Sequence, residues 1–178
     1  MRKKIETILL GFVFLLFLLL GYIENTIIFR YAYKIILSDK ILGLLEIFLH
    51  NVIVVSIIII GMSFYVRVVD FLPRREFEYM VLEHPKIFAL FFTIIFFSIS
   101  IIRTTNILKV NLINALLFII FSLPHGILEF YSIFLAIKIT LEKNLSINKL
   151  IIIYFILLIS AILELFLIYY TKPSLILK

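Results

Sequence analysis

The sequence predicts an all-α membrane protein, a bundle of about five transmembrane helices with one broken or kinked at Pro124-Gly126. Three observations carry that prediction. Hydrophobic residues make up 64% of the 178 residues and charged ones only 16%, against about 45–50% and about 25% in a soluble domain. No globule of this size has an interior large enough to hide such an excess. The apolar residues fall into runs of about 20 or more, the length a helix needs to cross about 30 Å of hydrocarbon. Finally, most of the basic residues stand between or at the edges of those runs, where they serve as loop charges beside lipid headgroups.

The first run begins after Arg2, Lys3 and Lys4. Its basic head and apolar core resemble a signal peptide, but no small-residue cleavage site follows, and Glu24, Asn25 and Arg30 come next. The expectation is an uncleaved first helix over about 5–29. A second helix is expected over 41–66, where Ser56 alone interrupts the stretch Val52–Ile60. A third is expected over 86–102 and the last over 150–171. The region 111–141 is too long for one straight crossing, because about 30 residues at 1.5 Å each make about 45 Å of helix. Pro124 and Gly126 lie in its middle, and proline both removes a ladder hydrogen bond and crowds the preceding turn. Either one bent helix crosses, or a short segment over 112–123 dips in and hands over to a helix beginning at Pro124.

The expected organisation is one integral membrane domain over 1–178, with 67–85 its one sizeable loop. After Pro73, residues Phe77, Met80, Val81 and His84 recur at helical spacing, with Arg74, Arg75, Glu76 and Glu78 between them. That pattern predicts an amphipathic turn lying in the membrane interface. With five spans, ten of the 17 Lys and Arg residues fall on the side of the N-terminus and seven on the other, which favours a cytoplasmic N-terminus in a cell membrane. The Asn144-Leu145-Ser146 sequon then lies inside and reads as chance.

Ionisable and amide side chains are costly in lipid and normally face other helices or a cavity. The second span carries Glu46, His50, Asn51 and Ser56; the region around Pro124 carries Asn111, Asn114, Ser122, His125 and Glu129; the last span carries Ser160 and Glu164. Glu46 and His50 are four apart, as are His125 and Glu129, and Ser160 and Glu164. Such pairs share one helix face, and Gly43 extends the Glu46–His50 stripe. A carboxylate one turn from an imidazole suits a proton relay, a neutral hydrogen-bonded pair, or half a metal site. Two such pairs with Glu164 would make a two-histidine, three-carboxylate centre; the blander reading is hydrogen bonding between helices. If a helix starts at Pro124, its free N–H groups attract an anionic group. There is no cysteine, nucleophile elbow, Gly-rich phosphate loop or HExxH motif, and the two aspartates, Asp39 and Asp70, stand in loops. No catalytic residue, cofactor or nucleic-acid partner is assigned.

The segments FLHNVIVVSIIIIG (48–61), LPHGILEF (123–130) and SAILELFLIYYTKP (160–173) resemble the stage II sporulation protein M family of small multi-pass membrane proteins. Asn51 and Gly61 match that family's asparagine-containing helix, Pro124, His125, Gly126 and Glu129 its Pro-His-Gly-x-x-Glu segment, and Glu164 the glutamate of its final helix. The likeness covers about 48 to 173. His50 stands where the family often has a second asparagine, which leaves the Glu46–His50 pair particular to this chain. In spore-formers the namesake works with partner proteins that remodel peptidoglycan during engulfment. The resemblance implies a non-enzymatic membrane component that holds protein partners or associates with itself. The alternative is a transporter or flippase-like conduit using His125, Glu129 and Glu164 for an anionic or proton-coupled substrate.

Overall fold

The computed structural model describes residues 2–23, 38–70, 81–108 and 112–171, and side chains at 8–16, 18–20, 38–70, 81–99 and 120–169. The principal helices are α1 (Arg2–Ile23), α2 (Lys40–Val69), α3 (Pro85–Leu108), α4 (Leu112–Leu141) and α5 (Ile147–Thr171). No strand occurs among the described residues. Three stretches are long and apolar enough to cross a membrane, Lys40–Val69, Ile120–Leu141 and Ile147–Tyr169, while Ile8–Leu20 and Pro85–Ile99 are shorter apolar helices. Helices 30 residues long extend about 45 Å, so their ends reach past the hydrocarbon. Lys40 and Arg67 sit at the ends of α2, where a charged head reaches the headgroup layer.

Of the two alternatives for the fourth helix, the structure shows one continuous helix and no handover at Pro124. α4 runs without interruption from Leu112 to Leu141, with Pro124 inside it. One proline forfeits one ladder hydrogen bond, and the turns on both sides remain bonded. No helix begins at Pro124, so the anion-attracting N-terminus expected there is absent. Helix limits elsewhere exceed the expected ones by a few residues. Residues 24–29, Asn111 and most of the 67–85 loop (71–80) lie outside the described residues. Of the predicted amphipathic face, Val81 is buried against the core while His84 is exposed.

Cross-helix contacts set the directions of the helices. Gly11 lies against Phe64 and Gly61 against Phe14, which makes α1 and α2 antiparallel. Ser56 meets Tyr154 and Lys40 lies over the ring of Tyr169, so α2 and α5 are antiparallel as well. Asn51 meets Glu129 and Asp70 meets Lys143, hence α2 and α4 run in the same direction. α3 returns beside α4, with Phe97 packed on Phe130 and on Gly126. Successive helices therefore alternate in direction.

The main core joins Val55, Ile59 and Val66 of α2, Ala89 of α3, Ile133, Ala136 and Ile137 of α4, and Ile153 and Leu157 of α5. A smaller cluster pairs Ile47 with Ala161. Outward, large apolar side chains stay uncovered, among them Ile41 at 78% and Phe91 at 67% exposure. In water such a surface would drive aggregation; in a bilayer it is the lipid-facing coat. Buried hydroxyls solve their own problem locally. Thr93, Ser132 and Thr140 donate to the carbonyls of Ala89, Leu128 and Ala136, four residues back in the same helix.

The helix ends are capped by short-range hydrogen bonds. The Asp39 carboxylate accepts from the N–H groups of Ile41 and Leu42 at 2.8 and 3.2 Å, capping α2. At the end of α4, the Asn144 N–H reaches the Ile139 carbonyl and the Lys143 N–H that of Thr140, a Schellman closure. Its left-handed position is held by Lys143 at φ 53°, where glycine is usual.

A Cβ at Gly61 would stand 2.7 Å from the Phe14 ring. Gly61→Ala should therefore loosen α1 from α2 and destabilise the bundle by about 1–3 kcal/mol. Adding Phe14→Ala should recover part of that loss, read as a coupling of at least about 0.5 kcal/mol in a double-mutant cycle of unfolding in mixed micelles.

Candidate functional site

Three of the residues singled out in the sequence meet in the middle of the bundle. α2 places Asn51 on its inner face, α4 brings Glu129, and α5 brings Ser160 between them. The Asn51 amide Nδ2 donates to Glu129 Oε1 at 2.7 Å. The Ser160 hydroxyl, wholly buried, lies 3.0 Å from the backbone carbonyl of His125 and 3.3 Å from the same Glu129 oxygen. One polar node thus joins three helices. Its supports are local: Gly126 lets the Phe97 ring of α3 close on α4 at the level of the node, and Ala161, fully buried, lets α5 approach Ile47 of α2.

Glu164 stands one turn beyond Ser160 on α5, and His50 immediately precedes Asn51 on α2. Both are near enough to Glu129 to interact with it electrostatically. Among the described residues Glu164 makes no hydrogen bond and no ion pair. Glu46 is half-buried one turn before His50, and the His125 ring is half-buried one turn before Glu129. Pro124 is exposed, so it shapes the lipid-facing side of α4 instead of lining the node. Gly61 is nearly three turns from Asn51 and belongs to the contact with α1.

The metal centre weighed from the sequence is not assembled. Among the described residues no three of His, Cys, Asp and Glu come together in a way that could hold a metal ion. The Glu129 oxygen is already engaged by an amide and a hydroxyl, which are interhelical partners of the ordinary kind in membranes.

Two further polar ties were not legible in advance. Ser56 and Tyr154 are 3.1 Å apart, hydroxyl to hydroxyl, across α2 and α5. Ser56 was conspicuous as the one polar residue in its run, but nothing in the sequence pointed to Tyr154. At the bundle's end, Lys143 Nζ donates to both Asp70 carboxylate oxygens at 2.9 and 2.8 Å, and no local spacing announces a pair 73 residues apart. These two residues rim a cleft of about 460 Å³ with Leu82, Glu83, Pro85 and Glu142.

No family model, curated protein or solved structure matches this chain. The fold and the node therefore define its class by themselves: a helical protein built to sit in a membrane, without an evident catalytic centre among the described residues.

If Asn51 and Glu129 are partners, their contributions are not additive. Asn51→Ala and Glu129→Ala should each destabilise the bundle, and the cycle with the double variant should show a coupling of about 0.6–1.7 kcal/mol, as interhelical hydrogen bonds do in membranes. Glu129→Gln keeps an acceptor for Asn51 and should retain most of the stability. Urea or SDS unfolding of these five proteins in micelles measures both.

Proposed function

We propose that this chain is a five-span plasma-membrane protein of the stage II sporulation protein M type, acting as a non-enzymatic component of a membrane complex with its N-terminus in the cytoplasm. The observation that carries the reading is the Asn51–Glu129–Ser160 node, whose polar groups are bonded chiefly to one another. A node closed in this way ties helices together. Glu129, which a conduit would offer to a passing substrate, is instead occupied by Asn51 and Ser160. The family likeness draws on separate segments, and Asn51 and Glu129, which carry two of them, are neighbours in space 78 residues apart in sequence.

Two features support the topology. The alternation of helix directions puts the start of α1, the end of α2, the start of α3 and the α4–α5 turn on one side. That side carries Arg67, Lys86, Lys143 and Lys149, the basic bias of cytoplasmic loops. The segment 67–85 begins and ends on that side, and it is the part of the chain we assign to a protein partner. Lys143 pairs with Asp70 there, fastening the loop's first residues to the α4–α5 turn.

Crosslinking in native membranes, followed by gentle purification and mass identification, tests the complex. A stoichiometric partner should survive Glu129→Gln and be lost when charges in 67–85 are reversed. A protein that purifies alone, in wild type and variants alike, overturns the reading. The absence of cysteine makes the topology simple to check. Single cysteines at Ser146 and near residue 4 should react together with an impermeant thiol reagent from the cytoplasmic side of vesicles, and one at Lys40 from the opposite side.

A further inference from the structure

Among the described residues, α1 packs on α2 and α3 packs chiefly on α4. Between α1 and α3, on the face of α2, they leave a groove of about 300 Å³ that is open along one side. Its walls are Phe14 of α1, Ile57, Ile58 and Met62 of α2, and Phe88 and Phe92 of α3, and it extends to Tyr65. From Ile57 to Tyr65 is about 12 Å of helix at 1.5 Å per residue. Tyr65 stands about 6 Å before Val69, the end of α2. Because α2 outreaches the hydrocarbon at its ends, Tyr65 falls near the hydrocarbon boundary. The groove thus runs inward through most of one leaflet, half of about 30 Å.

What can occupy such a space is set by its walls. They are almost wholly apolar, so water would find no polar partners there. Left empty, the groove would forfeit dispersion contacts along its whole lining. A helix of another protein or of a second copy needs small residues to come close, and this lining offers rings and branched side chains. Its one glycine, Gly61, already lies under the Phe14 ring. A flexible hydrocarbon chain, entering sideways from the bilayer, meets none of these obstacles.

The surface end of the groove adds charge complementarity. His84 stands one turn before Phe88 and Lys86 two residues before it, and both are exposed. Pro85 between them shares a cleft with Val69 and Asp70, which places both at the level of the end of α2, among the lipid headgroups. Imidazole and ammonium N–H groups donate to phosphate oxygens.

We infer that the groove is a phospholipid site. One acyl chain from the leaflet at that end lies between α1 and α3 on the face of α2, and the phosphate of the same lipid sits beside His84 and Lys86. The lipid completes the packing that α1 and α3 do not make with each other. This inference is separate from the complex reading, since a subunit and a protein acting alone can each hold a lipid.

Photolabelling of the full chain tests it, in nanodiscs of phosphatidylethanolamine and phosphatidylglycerol with a trace of phosphatidylglycerol carrying a diazirine on one acyl chain. Peptide mass spectrometry should find Ile58, Met62 and Phe92 labelled several-fold above Phe91, Ile151 and Phe155, which belong to the exposed lipid-facing coat. Ile58→Trp, which fills the groove, should remove the excess and leave the coat labels unchanged. The double variant His84→Gln with Lys86→Gln alters exposed side chains alone and should lower the excess with circular dichroism and melting retained. Labels spread evenly over groove and coat overturn the inference, as does an excess that both variants leave intact. Labels on the coat alone also overturn it, because a protein segment then fills the groove.

Discussion

Hydrocarbon offers no water to a polar group, and the rest of this structure follows from that. Backbone groups are satisfied inside the helices, and side chains that bond nothing must be apolar or must find one another. The Asn51–Glu129–Ser160 contact is the place where the rule bears hardest, because an amide, a carboxyl and a hydroxyl from three helices meet in one node. Removing one member leaves the others short of a partner, which is costlier than never having them. The node therefore holds α2, α4 and α5 in one relative register, and the positions of Ser56 against Tyr154 and Ile47 against Ala161 are in keeping with it.

Around that register the packing is made by shape. Between α1 and α2 two phenylalanines each occupy the space over a glycine on the facing helix, Phe14 on Gly61 and Phe64 on Gly11. Between α3 and α4, Phe97 does the same over Gly126. With lipid tails as apolar as the side chains, close fit and dispersion are what favour helix on helix over helix on lipid. Pro124 stays within α4, and Gly126, two residues on, is where Phe97 closes on that helix.

At the membrane surface ordinary aqueous chemistry returns. Lys143 accepts a left-handed backbone in the turn after α4, and from that position its ammonium reaches Asp70 at the end of α2. Both side chains are about half exposed, so the pair contributes on the order of 1 kcal/mol or less to stability. Its effect is geometric, bringing the start of the 67–85 loop beside the α4–α5 turn.

Much of this was determined by the sequence alone. An apolar excess confined to long runs has one physical outcome, helices in lipid, and the cores of all five helices lie where those runs lie. The polar shortlist was legible for the same reason, since a glutamate or asparagine within such a run is conspicuous. Only the tertiary structure decided which of them meet. Four-residue spacing showed that His125 and Glu129 share a face, but it carries no information about what another helix brings to that face, and the partner of Glu129 is Asn51, 78 residues away. Proline's local effect left two courses open in the sequence, one bent helix or a broken one, and the continuous α4 decides between them. Tyr154 looked unremarkable until α5 was laid against α2. Local patterns set what each helix is; which side chains become partners depends on contacts between residues far apart in the chain, and those exist only once the bundle has closed.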